Sequence, residues 1–177
     1  MDASLEDMGS EKERGCPEHA LEVLVGGPLD DAASTHTPTF GIPAAGVTYE
    51  QRGAAYAVIR NSTGAVAAVH MPAGYWLPGG GMLPGETPEE TAVREVREEL
   101  GCTLRLVRKI GGAVQYFFAA TEGRYYAMQA VFSRAEFVER QHGAAEFEVC
   151  WLDVSHPGPW FYHACHDWAV RQGCRAA

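Results

Sequence analysis

From Gly53 onward, apolar and polar positions alternate in short blocks. "AAYAVIR" and "AVAAVHM" are apolar and partly β-branched, and the turn residues "NSTG" between them predict a β-hairpin. "TLRLVRKIGG" alternates from Leu104, "AVQYFFAA" and "YYAMQAVF" flank "TEGR" as a second hairpin, and "EFEVCWLDV" predicts a further short strand. "FGIPAAGV" reads as a loop or edge segment broken by Pro43. Two stretches have helical spacing instead. In "TPEETAVREVREELG", Thr87 and Glu90 form a capping box, Pro88 takes the first helical position and Gly101 is placed to end the helix. Wound as a helix, Ala92, Val93, Val96 and Leu100 cover one arc, while Glu95, Glu98 and Glu99 cover another. "PWFYHACHDWAVRQG" predicts a terminal helix with Phe161, Ala164, Cys165 and Trp168 on one face. His163 and His166 then fall on the opposite side, and solvation is expected there rather than a zinc site. Strands on both sides of one early helix, with another helix at the end, predict an α/β (α+β) sandwich with a mixed sheet.

Residues 1–36 are acidic, rich in small residues and weakly periodic, although "ALEVLVGG" could make one short element. They read as a flexible or loosely docked extension of a single domain over 37–177. The chain has 177 residues, which allows one real core. A net charge of −9 opposes non-specific nucleic-acid binding but not a phosphorylated small molecule, because bound cations locally reverse the sign. Five scattered cysteines without a CxxC pair fit reduced thiols. No apolar run has membrane-spanning length, and the first residues lack a signal-peptide pattern. A cytoplasmic location, no nucleic acid and no membrane are the resulting expectations.

The acidic arc carries the chemistry. Three like charges at helical spacing repel, so a positive partner should answer them. Arg94 and Arg97 could do so on a solvated face. The preceding Gly79, Gly80 and Gly81 point further, because glycine lets a ligand approach main-chain oxygens closely. A glycine-loop carbonyl and two or three carboxylates are the donors that Mg²⁺ or Mn²⁺ prefers.

Gly80, Glu86, Arg94, Glu95, Val96, Glu98, Glu99, Gly101 and Cys102 follow, in order and spacing, the signature of the Nudix family, which this stretch resembles. Seven of these positions demand one residue type, and a chance match anywhere in the chain is on the order of one in a million. Cys102 stands at the final apolar position, where cysteine behaves as a small hydrophobe. The resemblance extends over about residues 50–172 and implies a Nudix-type α/β/α sandwich that hydrolyses a nucleoside diphosphate linked to another group, using Mg²⁺ or Mn²⁺.

Carried over by that resemblance, Glu95, Glu98 and Glu99 are expected as metal carboxylates with the Gly79 carbonyl, and Arg94 as the arginine that holds a glutamate. The general base is left open among Glu98, Glu95, and Glu146 or Glu148; Glu86 is an orienting group or a further ligand. His70, Arg52, Trp76 and Tyr116 are candidate substrate contacts, although core packing is the first expectation for Trp76 and Tyr116. Relatives acting on ADP-ribose or dinucleoside polyphosphates often carry a proline or a tyrosine about sixteen residues beyond the signature, where this chain has Phe118. A MutT-like nucleoside triphosphate pyrophosphohydrolase, acting on ordinary or oxidised nucleotides as monomer or homodimer, is therefore the expected function. Dinucleoside polyphosphate or nucleotide-sugar hydrolysis stands as the alternative. A non-catalytic nucleotide-binding module would predict a degraded signature, and an isopentenyl diphosphate isomerase a suitably placed reactive cysteine.

Overall fold

The computed structural model describes residues 37–140 and 145–174. The extension 1–36, with "ALEVLVGG", lies outside the described residues. In chain order the elements are β1 (Thr39–Phe40), β2 (Glu50–Ile59), β3 (Val66–Met71), β4 (Gly74–Trp76), β5 (Gly79–Gly81), α1 (Pro88–Leu100), β6 (Cys102–Ala119), β7 (Arg124–Arg140), β8 (Cys150–Leu152) and α2 (Ala164–Gly173).

The run "AAYAVI" is apolar without alternation because β2 is covered on both faces. Ala54, Tyr56 and Val58 point to one cluster with Phe161, Cys165, Ala169 and Val170 around α2. Ala55, Ala57 and Ile59 point to another with Ala92, Val96 and Leu100 of α1. Val66 and Ala68 of β3 divide from Ala67 and Val69 in the same way. Two-residue periodicity thus sorts each strand between two helical layers, giving a mixed α+β sandwich. The five-stranded sheet runs β1-β6-β7-β2-β5, and a three-stranded sheet runs β4-β3-β8. β2 pairs parallel with β7 and antiparallel with β5, so the large sheet is mixed as expected.

The start of α1 matches its sequence signals: Glu90 N donates to Thr87 Oγ1 at 3.2 Å, and Thr87 N donates to Glu90 Oε2 at 2.8 Å. Gly101 ends the helix with φ 63°, a left-handed conformation open to glycine without a Cβ penalty. The "TEGR" hairpin also forms, and its strands are longer than the two separate runs suggested. β6 continues from Cys102 to Ala119 through register shifts that absorb the irregular alternation around Val107–Gly111.

Three expectations are corrected. "NSTG" does make a turn, with Asn61 N donating to Ala65 O at 3.0 Å, but β2 and β3 then enter different sheets instead of pairing along their length. Within "EFEVCWLDV" only Cys150–Leu152 pairs as a strand, against β3. The terminal helix begins at Ala164, so Phe161 and His163 precede it; Asp167 Oδ1 accepts from Trp160 N at 2.8 Å and draws that segment back over the helix. Ala164 is exposed, while Phe161, His163, Cys165 and His166 are buried. The helical projection failed because it wound the five non-helical residues 159–163 into the helix.

Among the described residues no helix is long and apolar enough to cross a membrane. Leu100 is 1% exposed and joins α1 to β2 and β3. Leu100→Ala is expected to lower unfolding free energy by about 3 kcal/mol, measured by urea denaturation, whereas Thr87→Ala should cost about 1 kcal/mol through the lost cap.

Candidate active site

The signature residues meet where α1 packs along β5. Arg94 lies at their centre. Its Nε donates to Glu86 Oε1 at 2.6 Å and its Nη2 to Glu86 Oε2 at 2.9 Å, a two-pronged ion pair. Nη1 reaches Glu95 Oε1 at 2.8 Å and Glu98 Oε2 at 3.1 Å, and Nη2 also donates to the Gly81 carbonyl at 3.1 Å. One planar guanidinium therefore spans three carboxylates and the glycine strand, which a lysine could not do. Glu86 is further held by Leu83 N at 2.9 Å and Thr91 Oγ1 at 2.8 Å. The Arg94 hydrogen bonds, then those of Leu83 and Thr91, draw its carboxyl down to about 2. Glu86 is thus the residue that orients Arg94. The same pairing raises the Arg94 pKa and keeps it charged.

Glu99 does not lie on the solvated face that the acidic arc allowed. It is 8% exposed, and its Oε2 accepts from Gly79 N at 3.0 Å. Burial pushes its pKa up to about 8; the Gly79 N–H opposes that shift, while Glu95, Glu146 and Glu98 add to it. Gly79 has φ 134°, and a Cβ there would lie 2.2 Å from the Ala55 carbonyl oxygen, so no other residue fits. At Gly80 a Cβ would sit 2.7 Å from Glu95 Cδ. The missing side chain is the space that Glu95 occupies.

The other sequence candidates divide. Arg52 comes close: a Cβ on Gly81 would lie 3.1 Å from its Nη2, so Arg52 and Arg94 flank the same glycine. Arg52 also pairs with Glu122 at 3.4 Å and sits 5.3 Å over the Tyr126 ring. Glu146 is brought to the end of α1, where its N–H meets the Glu98 carbonyl at 3.4 Å and Phe147 N meets the Glu99 carbonyl at 2.8 Å. These bonds satisfy carbonyls that a helix end leaves unpaired. Glu148 is exposed two residues further on. His70 is exposed and packs on Tyr75 at 4.8 Å. Trp76 is partly buried, between Tyr162 at 4.9 Å and His163 at 4.4 Å. Tyr116 lies edge-on to Tyr49 at 5.0 Å.

His163 and His166 are corrected: they are 2% and 0% exposed and lie in the aromatic core under α2. Sequence reading also missed the Gly79–Glu99 and Arg52–Gly81 approaches. No local signal carries them, because they join positions 20 and 29 residues apart through sheet register.

Among the described residues, no three His, Cys, Asp or Glu side chains converge as they stand on a common metal position. The cause is visible: Arg94 already engages Glu95 and Glu98, and Glu99 turns to Gly79. The chemistry of the donor set nevertheless suits a hard divalent ion, since every candidate ligand is a carboxylate or main-chain oxygen. The space left by Gly80 is what lets the Glu95 carboxylate lie against the glycine strand.

Comparison with known proteins agrees with this fold. The NUDIX domain model matches residues 50–166. The fold is similar to a MutT protein from Methanosarcina mazei Go1 (20% identity, covering 72% of this chain and 95% of that one, TM-score 0.56). It is also similar to a NUDIX hydrolase from Nitrosomonas europaea (17% identity, 70% and 88% covered, TM-score 0.51). An ADP-ribose pyrophosphatase from Streptococcus suis 89-1591 shares the fold at 14% identity, with 71% and 92% covered and a TM-score of 0.52. No curated protein matches the chain significantly. The chain belongs to the NUDIX domain family. It is an enzyme of the pyrophosphohydrolase type, in a family that generally uses divalent metal and acts on nucleotide-like phosphorylated substrates.

Glu99 makes stability depend on pH. Its folded pKa of about 8 lies above its ordinary value of 4.5, so between these values the folded state binds more protons than the unfolded chain. Stability contributed by this group is therefore lost as pH rises from about 4.5 to 8. The buried histidines act oppositely at lower pH, because burial lowers His163 to about 4 and His166 well below its usual range. Comparing Tm of metal-free wild type and Glu99→Gln across pH 5–8 isolates the carboxyl contribution. The wild type should lose Tm relative to the variant toward pH 8, and equal slopes would contradict the assignment.

Proposed function

We propose that the chain hydrolyses a pyrophosphate bond in a nucleoside diphosphate-X substrate, most directly a nucleoside triphosphate, releasing nucleoside monophosphate and pyrophosphate. The observation that carries this reading is the carboxylate set on α1 held against the glycine strand by Arg94 and by the Gly79 N–H. Mg²⁺ or Mn²⁺, held by Glu95, Glu98, Glu99 and the Gly79 carbonyl, would neutralise phosphate oxygens and lower the pKa of water at the site. Everything else falls to the protein's own side chains.

Glu98 is the best-placed base. Its side chain is 49% exposed and makes one bond to Arg94, so a water molecule can reach its free oxygen. Glu95, under Gly80, is more enclosed, and Glu146 borders the site from the segment before β8. Glu99, its Oε2 taken by the Gly79 N–H and its pKa pushed up to about 8 by burial, binds a cation with loss of any proton it holds. Arg94, tied to Glu86, keeps Glu95 and Glu98 in place without moving during the reaction. Arg52, beside Gly81 and partly exposed, supplies positive charge for a phosphate oxygen.

A Mg²⁺-supplemented screen of nucleotides and nucleoside-diphosphate conjugates, with products identified by mass, tests the assignment. Nucleoside triphosphates, including 8-oxo-dGTP, should yield the monophosphate and pyrophosphate. Glu98→Gln should lower kcat by roughly 100-fold or more with the fold intact. Arg52→Ala should raise KM several-fold and leave kcat nearly unchanged. A panel without metal-dependent product would overturn the reading.

A further inference from the structure

Among the described residues, three side-chain polar atoms are buried without a hydrogen-bond partner: Trp76 Nε1, His163 Nε2 and His166 Nε2. They belong to one cluster. The Trp76 and His163 rings are 4.4 Å apart, His163 and His166 5.6 Å, and Trp76 and His166 6.0 Å. Phe117 lies 4.6 Å from His163, Tyr56 lies 4.4 Å from His166, and Phe132 and Phe161 close the surroundings. Leaving each such atom unpaired costs about 1–3 kcal/mol. Three in one place point to a shared partner rather than three separate losses.

The second ring nitrogen of His166 is engaged. Its Nδ1 accepts from Leu77 N at 3.2 Å. A neutral imidazole accepting at Nδ1 carries its proton on Nε2. Leu77 is two residues before Gly79, whose N–H holds Glu99, and between them the Pro78 carbonyl accepts from Ala57 N at 2.9 Å. The route from α2 to the carboxylates is therefore short: His166, Leu77, Pro78, Gly79, Glu99.

We propose that His166 is a positioning residue for the carboxylate site, its Nδ1 fixing the Leu77–Gly79 segment at the register where Gly79 meets Glu99, and its Nε2 sharing one buried water molecule with Trp76 Nε1 and His163 Nε2. The meaning of Glu99 rests on the proposed function; the water and the proton positions do not. Hydrogens balance in one arrangement. The water accepts from Trp76 Nε1–H and from His166 Nε2–H, and donates to His163 Nε2, which then carries its proton on Nδ1. Three hydrogen bonds are typical for a buried water. The two histidines are neutral, as burial requires, and hold opposite tautomers.

The test uses the ¹⁵N-labelled full chain near pH 7. Long-range ¹H–¹⁵N correlation should report the Nε2–H tautomer for His166 and the Nδ1–H tautomer for His163, and the Trp76 indole proton should show a cross-relaxation peak to water. Like tautomers, a charged imidazolium at either position, or an indole without a water peak would overturn the shared water. His166→Phe removes the acceptor; it should shift the Gly79 amide resonance and lower kcat roughly tenfold or more, with KM little changed. In His166→Asn the side-chain oxygen stands in for Nδ1, and most of both effects should reverse. If both variants fold and His166→Asn matches His166→Phe, His166 is structural filling and the positioning role is wrong. Should His166→Phe not fold, the position of the Gly79 amide resonance in His166→Asn decides: wild-type-like supports the role, shifted refutes it. Absence of hydrolysis by the wild type would sink the proposed function, while the tautomers and the water peak are read without it.

Discussion

Crowding carboxylates on one helix is unfavourable unless something positive stands among them, and here the arrangement of the site follows from how Arg94 meets that demand. It pairs with Glu86, Glu95 and Glu98 together and reaches the Gly81 carbonyl. The ion pair with Glu86 is anchored by Leu83 N from the loop before α1 and by Thr91 Oγ1 from its first turn, so the guanidinium is aimed rather than merely neutralising. Exposed ion pairs contribute little to stability. Shared among three acceptors and half-buried against a helix, this one has more to do with holding geometry than with holding the fold.

Glu99 answers the same demand differently. Among the described residues no cation pairs with it; burial against β5 pushes its pKa up to about 8, against the opposing pull of the Gly79 N–H bond. The site therefore combines one carboxyl fixed as an anion by Arg94, two shared with it, and one kept neutral by its surroundings. Such spread in proton affinity among neighbouring acids is a mark of functional sites.

The scaffold makes this possible through close approach. β5 consists of three glycines, so α1 can lie directly on it and Glu95 and Arg52 can approach its two sides. The small residues of β2 let both helices come close to the central sheet, and the β6–β7 hairpin supplies the breadth that the short strands lack.

Local chemistry was enough for the amino-acid sequence to determine the capped helix, its Gly101 stop, the hairpin turn at "TEGR", the mixed sandwich and the family, since capping boxes, turns and residue spacing act over a few positions. What the spacing of Glu95, Glu98 and Glu99 could not say is which of them would be buried; one helical turn carries all three, and only the position of β5 singles out Glu99. The same limit applies to "NSTG", whose turn was legible while the sheets its strands join were not. For His163 and His166, spacing pointed outward, yet His163 lies in the non-helical chain before α2 and folds inward to Trp76, and His166 faces the core from the first turn of α2, where Leu77 meets it. Contacts between distant segments are decided by sheet register and layer packing, and these are properties of the assembled molecule rather than of any stretch within it.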